Sequence, residues 1–350
     1  MTQAYASTPG LATACADADG AGGPATRERL RSRGDYRILS LAGGGYLGVF
    51  TACALAELEA RAGEPLGRRF DLIAGTSVGG ILAVALAFET PMAHVAELFL
   101  ARGAAIFSKR AAASGRIGRL VDLSRAVFGP KYHAEPLREV LHDYLGDRRL
   151  RDALHSVVVP AVNITESRTK VFKTPHAAAS MGDGKLRALD VALATSAAPA
   201  YFPAVEIDGA LYGDGGLFAV APDQVALHEA EHFIGINPAR VRMVSIGTAT
   251  AGYKPEFEIG QDDGAVGWLG NGRLILTLVS VQQQHVESLM TQRLGERYQR
   301  IDAPWPAGQG LGLDVATARA GAVLSALGRD AIAALDDDAL TRLLGQRATR

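Results

Sequence analysis

Gly75-Thr76-Ser77-Val78-Gly79 has the clearest chemical potential in the chain, a G-x-S-x-G pattern between the apolar segment Phe70-Asp71-Leu72-Ile73-Ala74 and a helix-like apolar run, Gly80 to Phe88. A serine on a strand, sharp turn and helix is held out at the mouth of a sheet, where its hydroxyl can act as a nucleophile. Gly75 and Gly79 let the chain reverse where larger side chains would clash. The N-terminus of the following helix then faces negative charge that develops on a substrate. Five residues alone carry little weight, because glycines at this spacing also serve tight strand-helix packing.

Two further glycine clusters supply context. Tyr36-Arg37-Ile38-Leu39-Ser40-Leu41 reads as a buried strand running into Ala42-Gly43-Gly44-Gly45-Tyr46-Leu47-Gly48, followed by a helical pattern from Val49 to Ala62. Consecutive glycines free several backbone N–H groups to point one way, which suits an oxyanion. A P-loop would end in Lys-Ser or Lys-Thr, and a dinucleotide fold would place an acidic residue about 20 positions on. Neither pattern follows Gly48. Downstream, Ala204-Val205-Glu206-Ile207 and Ala210-Leu211-Tyr212 flank Asp208-Gly209, a hairpin signal that delivers Asp214-Gly215-Gly216 at its far end. Taken alone, Asp214 reads as turn chemistry.

As an ordered set, the glycine loop Gly43 to Gly48, the elbow Gly75 to Gly79, the segment Ala194 to Pro203 and Asp214-Gly215-Gly216 resemble the patatin-like phospholipase family, and Met243 to Thr248 looks like its late core strand. The resemblance implies a three-layer α/β/α sandwich with Ser77 as nucleophile, Asp214 as its only side-chain partner, and the backbone of Gly43, Gly44 and Gly45 as oxyanion hole. It implies neither a metal nor a cofactor. Two positions depart from the family pattern: Leu47 stands where Arg or Lys is usual, and Ala221-Pro222 where Asn-Pro is usual. A dyad carboxylate near its ordinary pKa of ~4 is a poor base in water, so Asp214 is expected to be buried beside Ser77.

A Ser-Asp-His triad is the rival within enzymes, since His228, His232 and His285 all follow Asp214. Only one clear strand precedes the elbow strand, whereas an α/β-hydrolase has several. A non-catalytic lipid- or nucleotide-binding relative is the rival from another class, and intact Ser77 and Asp214 argue against it. Within the family, the close succession of strands with glycine loop and elbow, and the long helical C-terminal extension, resemble the bacterial phospholipase effectors of cyclic-oligonucleotide anti-phage signalling (CBASS). That subgroup implies a cyclic di- or trinucleotide activator, membrane phospholipid substrate and a homo-oligomer on activation. The alternative is a constitutive bacterial lipid acyl hydrolase.

Composition sets the outer bounds. The 350 residues, 48% of them hydrophobic, suffice for a sizeable core, and a net charge of −1 gives no footprint for a nucleic-acid polymer. Cys15 and Cys53 lie far apart, which argues for a reducing compartment. No apolar stretch approaches the roughly 20 residues that span a bilayer. The protein is expected to be cytoplasmic, acting at the inner face of the cell membrane.

Along the chain, residues 1–30 read as a flexible tail, 36–250 as the catalytic core and 251–350 as a helical extension packed on it. Helical patterns cover Met92 to Phe107, Tyr132 to Leu145, Pro222 to Phe233, Leu274 to Tyr298 (with Gln282-Gln283-Gln284-His285) and Ala316 to Ala334. Strands are expected at Val157 to Ile164 and Thr169 to Lys173. Lys109, Arg110, Arg116, Arg119, Arg125 and Lys131 form a basic segment suited to solvent or to anionic headgroups. Gly252 to Gly272, centred on Trp268, is a glycine-rich loop that could gate the site or touch a membrane.

Overall fold

The computed structural model describes residues 34–108, 129–254 and 273–345. The N-terminal tail, the basic segment apart from Lys131, and most of the loop around Trp268 lie outside them. One eight-stranded sheet organises the chain: β1 (Tyr36–Leu41), β2 (Leu72–Gly75), β3 (Val157–Asn163), β4 (Arg168–Lys173), β5 (Val205–Ile207), β6 (Ala210–Asp214), β7 (Val241–Ile246) and β8 (Tyr298–Ile301). The order is β5-β6-β3-β2-β1-β7-β8, with β4 also paired to β3. Strands β3, β2, β1, β7 and β8 run parallel, while β4 and β6 each pair antiparallel with β3.

Side chains of the central strands alternate between two cores, as the period of two requires. Leu39, Leu41, Ile73, Val157 and Val159 face one, and Ile38, Leu72, Ala74 and Val158 face the other. The first, larger core is covered by α1 (Gly48–Ala62), α2 (Val78–Ala87), α3 (Met92–Ile106), α4 (Glu135–Leu145), α5 (Ala188–Thr195), α8 (Ala318–Ala333) and part of α9 (Asp337–Leu344). The second is covered by α6 (Asp223–His228) and the C-terminal half of α7 (Arg273–Leu294). Three layers result, as expected.

Boundaries differ from the sequence reading in instructive ways. The pattern from Leu274 to Tyr298 is not one helix: α7 ends at Leu294, Gly295 turns at φ 57°, and Tyr298 opens β8 in parallel register with Met243 of β7. With only Tyr298 and Ile301 buried around Gln299 and Arg300, four residues gave no strand signal. Among the described residues after 250, helices α7, α8 and α9 stand beside the strand β8, which extends the sheet next to β7, and a non-helical stretch at 302–317. Likewise α6 stops at His228 and widens into a π-helical turn, Glu229–Ile234, instead of running to Phe233 as one α-helix. Helix α9 had no counterpart in the expected elements.

Strand register decides where the loops meet. β1 and β2 are parallel, with Leu41 opposite Gly75, so the glycine loop and the elbow leave the same edge of the sheet. β3 pairs with β2 at Ala74 and Val158, then outruns it, and β6 takes over the same side with Asp214 opposite Ala161. Three residues of strand advance about 10 Å. Asp214 is thus carried level with Ser77, three residues beyond Ala74. The Asp208-Gly209 turn fits its two-residue loop, with φ 51° and 79° at the central positions as a type I′ turn needs.

The elbow depends on backbone proximity. A Cβ added to Gly75 would overlap the Gly79 carbonyl and also meet Ala83 at 2.7 Å. Backbone cannot yield as the tip of a flexible side chain can. Gly75→Ala should therefore cost about 3 kcal/mol or more. Urea unfolding followed by circular dichroism measures this, and a loss below about 1 kcal/mol would contradict the crowding.

Candidate active site

Ser77 sits at the N-terminus of α2 with φ 55° and ψ −127°, a conformation that non-glycine residues avoid and that surrounding structure must impose. Its N–H donates to Thr195 Oγ1 at 3.0 Å, and that hydroxyl donates in turn to the Pro160 carbonyl at 2.6 Å. On the preceding residue, Thr76 Oγ1 donates to the Ala219 carbonyl at 2.7 Å. These threonine bonds tie the elbow to β3, α5 and the loop after β6.

The Ser77 hydroxyl donates to Asp214 Oδ2 at 2.7 Å. Asp214 is 5% exposed, and its other oxygen, Oδ1, accepts from the Gly216 N–H at 2.6 Å. Burial pushes the carboxyl up to about 6, against smaller opposing effects from the Gly216 and Ser77 hydrogen bonds. Desolvation disfavours the ionised form, while hydrogen bonds to the carboxylate favour it. The result is a base stronger than an ordinary carboxylate yet ionised at neutral pH. No charged side chain contributes to this shift.

The glycine loop differs from expectation at one residue. Gly43 N–H donates to the Val220 carbonyl at 2.8 Å, so it is already engaged and cannot also serve an oxyanion. Tyr46 N–H is used as well, donating to the Leu313 carbonyl at 2.7 Å. Gly44 and Gly45 lie between them, and their N–H groups make no hydrogen bond among the described residues. Gly43 instead brings the loop close to the elbow, since a Cβ there would lie 3.1 Å from Ser77 Cβ. Gly45 adopts φ 56° directly against Leu313, a placement only glycine tolerates without strain. Leu47 is fully buried.

Ser77 and Asp214 open onto a cavity of about 230 Å³. Its wall is mostly apolar, with Ile81, Phe99, Ile106, Phe107 and Phe202 inside, and with Leu217 and Leu278 at 56% and 45% exposure. No histidine lines it. His228, His232 and His285 are exposed, and the first two stack on each other at 5.1 Å. The triad alternative therefore has no third member among the described residues. These residues also hold no cluster of His, Cys, Asp and Glu that could bind a metal, and no helix long and apolar enough to cross a membrane.

Residues 39–227 match the family described as patatin-like phospholipase. The chain belongs to that family. Its glycine loop, elbow and Asp-Gly-Gly turn all fall within the matched region. This patatin-like chain is 39% identical over 272 residues to a protein of Pseudomonas aeruginosa named cGAMP-activated phospholipase, covering 76% of this chain and 78% of that one. A Vibrio cholerae protein of the same name is 32% identical over 336 residues, covering 87% and 92%. A third, from Escherichia coli, is 33% identical over 276 residues, covering 74% and 76%.

Thr195 and Leu313 hold this patatin-like site together, and neither was singled out from sequence. Thr195 lay inside the segment recognised before Pro203, but nothing local says that its hydroxyl reaches Ser77 N–H. Leu313 carries no signal, because it acts through a backbone carbonyl.

The buried carboxyl makes a stability prediction. Asp214 binds its proton more tightly folded (about 6) than at the ordinary 3.8. The stability linked to the neutral carboxyl is therefore present below about pH 4 and lost as pH rises through about 6, a cost of about 3 kcal/mol. Asp214→Asn, whose carbonyl can accept from the Gly216 N–H while its amide donates to Ser77 Oγ, should raise the melting temperature at pH 8, with the advantage shrinking towards pH 4. Melting curves across that range provide the check, and an advantage that grows on acidification would contradict the assigned burial.

Proposed function

We propose that the protein is a serine phospholipase that hydrolyses membrane phospholipid esters through Ser77 and Asp214. The observation that carries this reading is the 2.7 Å hydrogen bond from the Ser77 hydroxyl to a buried carboxylate on the wall of an apolar cavity. Asp214 takes the hydroxyl proton as Ser77 Oγ attacks the ester carbonyl, forming a tetrahedral intermediate whose oxyanion meets the N–H groups of Gly44 and Gly45. Collapse expels the alcohol, which receives the proton from Asp214. Water then loses a proton to the same carboxylate and attacks the acyl-enzyme; collapse frees the fatty acid as Asp214 returns that proton to Ser77 Oγ. The apolar wall suits an acyl chain, and exposed Leu217 and Leu278 give the mouth an apolar rim suited to a lipid surface.

Activation by cGAMP, a cyclic dinucleotide, is part of the proposal and is supported by the names of the three relatives. In this reading the enzyme acts from the cytoplasm on the inner face of the membrane as an anti-phage effector, and activation assembles it into a homo-oligomer. A nucleotide shifts a population only by its differential affinity for the active state. No residue is assigned to nucleotide binding, and the constitutive alternative differs by needing none.

Purified protein incubated with phospholipid vesicles, with and without cGAMP, should release fatty acid at least tenfold faster with the nucleotide and sediment faster as well. Equal rates in both arms would leave a constitutive hydrolase. Ser77→Ala and Asp214→Ala should each abolish release, and the double variant should be little worse because the pair acts as one unit. Separate His228→Ala, His232→Ala and His285→Ala changes should keep most activity. Activity should fall as pH drops through about 6, where Asp214 gains its proton.

A further inference from the structure

The glutamines of α7 have no part in the chemistry above, yet they reach it. Gln282 Oε1 accepts from the Val220 N–H at 3.2 Å, and its Nε2 donates to the Gly216 carbonyl at 3.4 Å. One carboxamide therefore joins both ends of the loop that follows Asp214. That loop has two other duties. At one end the Gly216 N–H holds Asp214 Oδ1, and at the other the Val220 carbonyl holds the Gly43 N–H. Gln282 thus pairs with the remaining backbone group of each of the two residues, Gly216 and Val220, that orient the dyad carboxylate and anchor the glycine loop.

Helix α7 is itself fixed from beneath. Gln283 is 3% exposed, accepts from Arg300 on β8, and donates to Thr248 Oγ1 at 3.3 Å. Thr248 packs under the glycine loop, where a Cβ on Gly44 would lie 2.7 Å from its hydroxyl. Arg300 also donates to Ser245 on β7 and to Asp302, so the network is rooted in the sheet. Adjacent glutamines on one rigid helix touch the Asp214 loop and the support of the glycine loop.

We propose that Gln282 is a positioning residue of the hydrolysis: its carboxamide splints Gly216 to Val220, and so fixes the orientation of the Asp214 carboxylate against Ser77. This rests on the Ser77-Asp214 reading.

The test uses the full chain, a water-soluble short-chain p-nitrophenyl ester as probe, and cGAMP present throughout. Gln282→Met removes both hydrogen bonds at nearly constant volume, and Gln282→Glu keeps an acceptor for Val220 while losing the donor to Gly216. Both should lower kcat about tenfold or more, leave KM within about twofold, and leave the melting temperature within a few degrees. A loosened Gly216 N–H stabilises the carboxylate less, so the acidic limb of the pH profile should move up from about 6 in Gln282→Met, and further in Gln282→Glu, which adds a negative charge. Only Tyr46 and Tyr201 are other ionisable groups on the cavity wall among the described residues, and both titrate above the ordinary phenol range. Their titration leaves that limb untouched. A kcat within twofold of the parent in both variants, or a loss with an unmoved acidic limb in both, would overturn the positioning role. Failure of the underlying reading shows separately, as parent turnover no greater than that of Ser77→Ala.

Discussion

A carboxylate held out of water against a serine hydroxyl is the constraint around which this molecule is arranged. In a triad, an imidazole with a pKa near neutrality accepts the proton, and its carboxylate partner only orients it. Here the cavity wall has no imidazole, so in the proposed hydrolysis the carboxylate itself takes the proton, and burial raises its basicity. Burial has a cost, because an ionised group without water must find other partners. The Gly216 N–H and the Ser77 hydroxyl are those partners, one on each carboxylate oxygen. Too many donors would return the carboxyl to its ordinary weak basicity, and too few would keep it protonated at neutral pH.

Holding that balance explains features that look unrelated in the chain. β3 must be longer than β2, so that β6 can come alongside beyond the end of β2 and deliver Asp214 at the level of the elbow. The elbow must accept a strained Ser77, which the Thr195 hydroxyl helps secure by taking the Ser77 N–H. The loop after Asp214 is pinned at Gly216, Ala219 and Val220 by bonds from α7, the elbow and the glycine loop. Each bond satisfies a backbone group of this loop, and together they leave the carboxylate little freedom to swing away.

The C-terminal third is correspondingly more than a cover. Its strand β8 extends the sheet, its helix α7 bears on the Asp214 loop, and Leu313 supplies the carbonyl that takes Tyr46 N–H at the end of the glycine loop. Asp314, next in sequence, binds Lys131 and the Tyr132 hydroxyl near the aromatic wall of the cavity. A change in this region can therefore reach the loops that carry the chemistry through bonded backbone, with no long relay. That is the physical setting in which activation by a small ligand becomes feasible.

Sequence by itself supplied an ordered set of local motifs, with glycine where backbone approaches backbone, a strand-turn-helix around Ser77 and a two-residue hairpin before Asp214; their combination, through the patatin-like resemblance, pointed to the three-layer fold and to Ser77 and Asp214 as candidate nucleophile and partner, although Asp214 alone read as a turn residue. Each of those signals is confined to a few consecutive residues and survives without knowledge of its neighbours in space. Tertiary structure alone decided the rest. Gly43 looked equivalent to Gly44 and Gly45 until the Val220 carbonyl was found on its N–H. β8 was invisible because its charged residue, Arg300, is compensated by Ser245, Gln283 and Asp302, which are distant in sequence or read as ordinary polar residues. Gln282 read as one of three glutamines on an amphipathic helix. Hydrogen bonds between segments 60 or more residues apart leave no periodicity, and the separation of Gln282 from Val220 is 62.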